Sequence, residues 1–432
     1  MSGNTGSYIA SCLFVLLAHV GMLINVFING DYNSASQVFL LAGCVVALDI
    51  GYFVAMLFFK QSSYTIDFLL ILILNMSTIF QACFGKVEFD KDTIKHFVTC
   101  IVALVACRCG YLLCRNHKWL QQQRKYFYIG IGILMILILT LTGSRAMWIS
   151  IGAFSLQPSE FIKPLFILAC ATSITEQQNR HKVLGFYVVY ENLALLGLTA
   201  AICLLQWWCR DLGSLPTFMG IFVCGFLLRI CYPKAKFSKK KLIAAASALL
   251  AVAFVGFKFA PAYVQDRLHA DIWNDINGNG YQQSQALIGI ANGGWFGKGP
   301  GHGDLCNVFA HENDIVFATI SEEWGLMFAL MTIFAILILI SIPLITPPRS
   351  YYHATMAAGV GAAFTVQMAL NIFGSCNLIP FTGVTIPFIS SGGSSMMISG
   401  FMAGMLVACQ SPTMKMPAQH THTPIHKRRQ TA

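Results

Sequence analysis

Charged residues are scarce in this chain of 432 residues: only 11% are Asp, Glu, Lys or Arg, while 56% are hydrophobic. Soluble domains carry about 25% charged residues, so this composition argues against an ordinary soluble protein and indicates a membrane protein. The chain also lacks a CxxC pair and any Cys/His cluster with zinc spacing, so its 15 cysteines predict no metal site. The segment 1–7 lacks the basic start of a secretory signal, and the apolar run after it is interpreted as a membrane anchor.

Long apolar runs recur along the chain. A bilayer core of about 30 Å requires roughly 20 apolar residues per helix. On that basis the sequence predicts an all-α polytopic membrane protein with about twelve transmembrane helices. The predicted spans are 8–28, 38–59, 64–84, 95–114, 126–142, 160–174, 185–206, 212–231, 241–260, 314–345, 352–376 and 394–409.

The net charge of +10 does not indicate nucleic-acid binding, because the positive residues lie between apolar blocks and not on one basic face. They concentrate in alternate loops and in the C-terminal tail. The positive-inside rule therefore places both termini in the cytoplasm. The loops that carry them lie at Lys60, 115–125, 180–182, 234–241 and Arg349, followed by the tail at 415–429.

One external loop, 261–313, is long, polar and rich in glycine. Loops of this length are usually functional or disordered, and the aromatic residues and paired glycines here argue against disorder. We therefore expect chemistry at the outer face. The predicted organisation is an N-terminal transmembrane region (1–125), a catalytic transmembrane core (126–410) that contains this loop, and a basic cytoplasmic tail (411–432).

Three stretches carry a family signature. The first is GSRAMWISIG at 143–152 with QPSEFIK at 157–163. The second runs through GYQQSQ at 280–285, GGWFGKG at 293–299, NDIVFA at 313–318 and EEWG at 322–325. The third is LIPFTGVTIPFISSGGSS at 378–395. In order and spacing, the set resembles the SEDS family (shape, elongation, division and sporulation), the group of RodA, FtsW and SpoVE.

The sequence departs from the family pattern at Met147, Asn313 and Ser391, where an Arg, a Thr and a Tyr are usual. Five spans precede the first motif, whereas the family typically has three. The resemblance thus implies a divergent member with a ten-helix core and two extra N-terminal helices. It also implies a peptidoglycan glycosyltransferase that uses an undecaprenyl-pyrophosphate donor, acting in elongation, division or sporulation.

The resemblance further implies lipid II as substrate, a class B penicillin-binding protein as partner, contact with membrane lipids and a place in the bacterial cytoplasmic membrane. It identifies no certain cofactor and leaves open a divalent cation, Mg²⁺ or Mn²⁺. Two alternatives remain: a transporter, such as a lipid II flippase, and a non-catalytic scaffold for cell-wall assembly. Internal charges would suit a transport path, but no repeat relates the two halves of the chain.

Polymerising lipid-linked sugars requires a general base for the attacking hydroxyl and positive charge for the leaving pyrophosphate. Asp314 lies where the external loop meets the tenth span and matches the family's catalytic Asp. The residue pattern alone leaves a helix N-cap equally open, and the resemblance favours the base.

Arg145, Lys163, Arg210 and Lys298 are the candidates for the leaving group. Lys298 lies between two glycines, which allow close backbone approach to phosphate. Lys163 follows Glu160 by three residues, so an internal ion pair is an equal alternative. Arg210 is more simply interpreted as part of a structural turn.

The predicted substrate-binding set contains these basic residues, except Arg210, and polar or glycine residues of the three motifs. Gly392 and Gly393 stand at a helix entry, where exposed amides suit an anion but a plain turn is also open. The set is Arg145, Lys163, Lys298, Glu160, Gln157, Tyr281, Gln282, Ser390, Gly392 and Gly393.

Charged residues inside the predicted spans default to a functional hypothesis, because they are costly in a bilayer. Glu322 and Glu323 fall two turns into the tenth span, where one is expected to face the cavity. Asp49 and Arg108 are expected to pair with each other, and His19 is expected to be a packed interior histidine.

Overall fold

The computed structural model describes residues 2–59, 61, 63–141, 148–151, 154–174, 181–183, 186–232, 280–345 and 350–410, with isolated positions between 243 and 273. Two short antiparallel hairpins interrupt the helices, β1 (Ile149–Ile151) with β2 (Phe154–Leu156) and β3 (His181–Val183) with β4 (Phe186–Val188). The helices are α1 (Ser2–Asn29), α2 (Ala35–Leu57), α3 (Thr65–Cys83), α4 (Lys91–Cys114), α5 (His117–Gln122), α6 (Arg124–Leu141), α7 (Pro158–Thr172), α8 (Tyr190–Trp208), α9 (Ser214–Cys231), α10 (Tyr281–Gly293), α11 (Val316–Trp324), α12 (Leu326–Ile345), α13 (Tyr351–Ser375) and α14 (Gly393–Cys409). A 3₁₀ turn occupies Leu305–Asn307.

Within these described ranges, 8 helices are long and apolar enough to cross a membrane, namely α1–α4, α8, α9, α12 and α13. The helix α14 is a shorter apolar helix, and α6 and α7 lie where the fifth and sixth spans are predicted. The predicted helical membrane fold is therefore confirmed, whereas the hairpins are absent from the sequence prediction. The number twelve stays a prediction, because the segment 241–260 lies almost wholly outside the described residues.

Two predicted spans differ from the helices observed. The seventh, expected from residue 185, begins at Tyr190 because the chain first forms the β3–β4 hairpin. The tenth, expected over 314–345, is two helices, α11 and α12, separated by Gly325 with φ of 88°. Left-handed backbone of this kind ends the helix at a glycine. As a result Glu322 and Glu323 end a short helix and do not lie inside a long span.

The bundle is held most closely where α4 and α14 cross. Gly110 on α4 and Gly400 and Gly404 on α14 leave no room for a side chain, since a Cβ at each would meet the backbone of the other helix. Small residues at such a crossing let two membrane helices approach until their backbones touch. This contact fixes the start of α14, and with it the glycines 392–393, relative to α4.

Buried polar pairs join the N-terminal helices to α3. Asp49 accepts a hydrogen bond from Asn75 at 2.9 Å and lies 2.7 Å from His19. Arg108 pairs with Asp67 and lies 2.7 Å from the hydroxyl of Tyr52. The expected pairing of Asp49 with Arg108 is therefore wrong: each finds a nearer partner on α1 or α3.

Candidate functional site

A cavity of about 630 Å³ opens at the end of the bundle where α7, α9 and α14 begin. The N-cap residues of these helices, Gln157, Gly213 and Gly392, all line it. Helix N-termini carry partial positive charge and unpaired N–H groups, which favour an anion at the starts of α7 and α14. At the start of α9 the Ser214 amide already donates to the carboxylate of Asp211 at 3.1 Å. The wall also includes charged and polar side chains, namely Lys95, Glu160, Lys163, Arg210, Asp211, Thr217, Gln282, Gln283, Asn313, Asp314 and Gln367.

Asp314 lies in the turn before α11 and lines this cavity. The N-cap position of α11 is Ile315, without a side-chain cap, so the structure does not support the N-cap role for Asp314. Burial raises the pKa of Asp314 from 3.8 to about 6. No described residue donates a hydrogen bond to its carboxylate, which leaves both oxygens available to a substrate proton.

The turn that carries Asp314 is fixed by its backbone. Asn371 on α13 donates from Nδ2 to the carbonyls of Asn313 at 3.3 Å, Asp314 at 2.8 Å and Val384 at 2.7 Å. Ser390 donates from Oγ to the Asn313 carbonyl at 2.9 Å. These bonds join the Asp314 turn to the loop between α13 and α14. Ser390 thus supports the base and, contrary to the sequence prediction, does not line the cavity.

Gly383 faces the carboxylate of Asp314 from that loop. Its φ is +63°, and a Cβ built there would lie 3.2 Å from Oδ2 of Asp314. A glycine is favoured on both counts, because other residues rarely adopt this left-handed backbone and a Cβ would crowd the carboxylate. The TG pair of the third motif, Thr382 and Gly383, therefore lies on the cavity wall beside Asp314.

Lys163 and Glu160 lie in the first two turns of α7 and both line the cavity. The ammonium of Lys163 lies 2.6 Å from Glu160 Oε1, and the lysine is 2% exposed. The ion-pair alternative is thus observed, in a position that also faces the cavity. Beside it Gln157 donates to Asp211, whose carboxylate accepts from the hydroxyl of Ser214 at 2.6 Å.

The structure separates Lys298 from the cavity. Its ammonium pairs with Asp304 at 2.8 Å and with Glu322 at 2.7 Å, and Glu322 also accepts from the Leu305 amide at 2.9 Å. Lys298 therefore ties the external loop to α11, so its predicted contact with the leaving group is not supported. Glu323 is buried among backbone amides and accepts from Gly85 at 2.6 Å, so neither glutamate lines the cavity.

The remaining predicted residues divide three ways. Gln282, Gly392 and Gly393 line the cavity, and their contact with substrate stays a prediction. Tyr281 is 37% exposed at the start of α10 and does not line it. Arg145 lies outside the described residues.

The sequence reasoning missed Lys95, Thr217 and Gln367, which all line the cavity. Lys95 follows the N-cap Asp90 of α4, whose carboxylate accepts from the Thr93 amide at 2.9 Å. The sequence alone offered a signal here, because Asp90 is a recognisable N-cap and places Lys95 in the second turn of α4. Thr217 and Gln367 lie within apolar helices, where no local pattern distinguishes them from packed polar residues.

The described residues contain no group of three His, Cys, Asp or Glu side chains that could hold a metal ion. The described side chains therefore do not fit a metal ion that is held by the protein alone.

A family model described as a cell cycle protein, FtsW/RodA/SpoVE, matches residues 55–414. The chain belongs to this family. The family match begins near the end of α2, so α1 and most of α2 lie before it. As a member with several apolar helices of spanning length, the chain is a multi-pass membrane protein.

Curated relatives agree with the family match. The stage V sporulation protein E of Bacillus subtilis is 31% identical over 276 residues, which cover 61% of this chain and 71% of the relative. A probable peptidoglycan glycosyltransferase FtsW of Alcanivorax borkumensis is 32% identical over 277 residues, covering 62% of this chain and 69% of the relative.

Solved structures share the fold. A chain from the structure "Structural coordination of polymerization and crosslinking by a peptidoglycan synthase complex" matches with a TM-score of 0.61 and 19% identity, over 80% of this chain and 96% of that one. The rod shape determining protein RodA of Thermus thermophilus matches with a TM-score of 0.54 and 19% identity, over 80% of this chain and 95% of that one. The RodA-like fold is thus confirmed.

The turn between α1 and α2, which precedes the family match, contacts the external loop at Pro300 and Gly301. The turn after α1 places the Asp31 amide 3.0 Å from the Pro300 carbonyl, and the Asp31 carbonyl accepts from the Val87 amide at 2.9 Å. A Cβ at Gly301 would lie 2.8 Å from the Asp31 carbonyl. The α1–α2 turn therefore packs against the loop that Lys298 and Glu322 attach to α11.

Proposed function

We propose that this chain is an inverting peptidoglycan glycosyltransferase that transfers disaccharide-pentapeptide from lipid II to a growing glycan strand. Family membership and the names of the curated relatives support the reaction class. The observation that carries the proposal is Asp314: a carboxylate that lines a cavity of about 630 Å³, with no hydrogen-bond donor from the described residues and a pKa that burial raises to about 6.

In the proposed reaction Asp314 removes the proton from the 4-hydroxyl of the acceptor sugar. The hydroxyl oxygen attacks the anomeric carbon of the α-linked donor, and a β-1,4 bond forms. The bond between that carbon and the pyrophosphate breaks, and undecaprenyl pyrophosphate leaves with the electron pair. A pKa near 6 suits the base, because it is ionised at neutral pH yet more basic than an ordinary Asp.

The leaving pyrophosphate needs positive charge as it departs. The starts of α7 and α14 supply partial charges, and Lys95 and Arg210, whose side chains are exposed on the same wall, carry full ones. Lys163 contributes less, since Glu160 neutralises it. These charges support a position for the leaving group at the exposed part of the cavity.

The proposed placement in the membrane follows from the positive-inside pattern. Both termini are cytoplasmic, and the cavity opens at the outer face, where the sugars of lipid II would be presented. Residues 1–125 form an N-terminal membrane region, 126–410 the catalytic core and 411–432 a basic tail. The segment 261–313 is the external loop of the core, and its described part contains α10 and the loop tied to α11.

We also propose a class B penicillin-binding protein as partner. One of the structural matches is a chain of a peptidoglycan synthase complex in which polymerization and crosslinking are coordinated. Co-purification from the native membrane after mild detergent extraction, followed by mass spectrometry, tests this proposal. Recovery of this chain without any transpeptidase would contradict it.

The proposed activity is tested by incubating the purified chain with lipid II, alone and with a candidate transpeptidase, in buffers with and without Mg²⁺. Product length is measured on a gel, and Asp314→Asn is the matched control because it keeps the side-chain shape without the charge. Chains from the wild type and none from a folded Asp314→Asn variant are expected. Movement of lipid II across sealed vesicles without chain formation would instead indicate a transporter, and neither activity would indicate a scaffold.

A further inference from the structure

Two buried polar side chains without partners line the cavity. Thr217 on α9 is 0% exposed and Gln367 on α13 is 2% exposed, and both line the cavity wall. Within the described part of the chain, no hydrogen bond reaches Thr217 Oγ1 or Gln367 Oε1. Asn313 Oδ1 and Thr382 Oγ1 are likewise unpaired on the wall nearer Asp314.

Unpaired buried polar atoms are uncommon, because each lowers stability unless a ligand or water satisfies it. A carbonyl oxygen such as Gln367 Oε1 can only accept a hydrogen bond. The missing partner must therefore be a donor. Pyrophosphate oxygens of a diester carry no proton at neutral pH, whereas sugar hydroxyls and an acetamido N–H both donate.

The charges of the lining point the same way. Lys163 is buried, and Glu160 neutralises it at 2.6 Å. Lys95 and Arg210 have exposed side chains, on a wall that also contains the carboxylates of Asp211 and Asp314. The buried Lys163–Glu160 pair is thus neutral, and the other cations of the lining are exposed.

We propose that Thr217 and Gln367 form a subsite for the hydroxyl and acetamido groups of a donor hexosamine, with the pyrophosphate held at the exposed part of the cavity. This rests on the proposed function, since it assigns the parts of the lipid-linked donor within the same cavity. Thr217 donates to or accepts from a sugar oxygen, and the amide of Gln367 pairs with a group that both donates and accepts.

Binding to the inactive Asp314→Asn chain in detergent tests the subsite apart from catalysis. Two ligands are compared: lipid II, and undecaprenyl pyrophosphate, which has no sugar. The variants Thr217→Val and Gln367→Leu preserve volume and remove the polar atoms. Each is expected to weaken lipid II binding by about threefold to tenfold and to leave undecaprenyl pyrophosphate binding within about twofold, because each variant removes a hydrogen bond between neutral groups.

Lys95→Gln is the contrasting variant, and it is expected to weaken both ligands equally. Equal loss of both ligands in Thr217→Val and Gln367→Leu would overturn the subsite, since these side chains would then contact pyrophosphate. No loss of either ligand would also overturn it, because water alone would then satisfy these atoms. Failure of the wild type to polymerise would refute the proposed function but leave the binding result readable.

Discussion

Ionisation of the Asp314 carboxylate is expected to lower the stability of the folded protein. Its folded pKa of about 6 lies above the ordinary 3.8, so ionisation is harder in the folded state than in the unfolded one. A tenfold change in an ionisation constant corresponds to about 1.4 kcal/mol, which sets an upper limit of about 3 kcal/mol. Partial exposure to solvent in the cavity will reduce this value.

Asp314→Asn removes that penalty without changing side-chain volume. Above pH 6 the wild-type group is ionised in both states and the penalty is complete, so the variant should be more stable there. As pH falls from 6 to 3.8 the folded wild type binds its proton first, and the difference should decrease to zero.

The assay is thermal unfolding of both proteins in the same detergent at pH 7.5, 5.5 and 4, followed by intrinsic fluorescence. We expect Asp314→Asn to unfold at a higher temperature at pH 7.5, with the two proteins coinciding at pH 4. A variant that is less stable at pH 7.5, or a difference independent of pH, would refute the argument that this carboxylate is held ionised at a cost.

Three further predictions concern the groups that hold the site. Asn371→Leu removes the donor to the Asp314 turn and should lower kcat by about tenfold or more with little change in KM, whereas an unchanged kcat would contradict the positioning role. Asp31→Pro removes the amide bonded to Pro300 and should lower stability by about 1 kcal/mol relative to Asp31→Ala, which keeps that amide; equal melting temperatures would contradict it. Lys298→Met leaves Glu322 buried without its cation and should destabilise the fold by about 3–5 kcal/mol, while the Lys298→Met/Glu322→Gln double variant should recover most of it. Selective loss of lipid II binding in a stable Lys298→Met protein would instead restore Lys298 to the substrate site.

The sequence indicated the residues whose chemistry and context are local. Asp314 stands between a polar loop and an apolar run, and Gln157, Glu160 and Lys163 form one short motif at a helix start. Such positions are visible without tertiary structure, and the cavity contains all of them.

Other parts depend on which helices meet, and the sequence could not supply this. By its sequence context the ammonium of Lys298 is equally able to bind a phosphate or a carboxylate. Only the folded structure shows that Glu322 lies 2.7 Å from it. Asp49 could pair with Arg108 by charge alone, but helix packing provides His19 as its nearer partner. Thr217 and Gln367 are inferred to bind substrate because their polar atoms are buried without a partner, and only the folded bundle shows this.

The rate of polymerisation as a function of pH tests the central claim most directly. Single-turnover rates with saturating lipid II are to be measured from pH 5 to 8 for the wild type. If Asp314 is the base, the rate should rise about tenfold per pH unit below about 6 and level off above it, and Asp314→Asn should lack both rate and rise. A wild-type rate that is flat across pH 6, or substantial polymerisation by Asp314→Asn, would contradict the account.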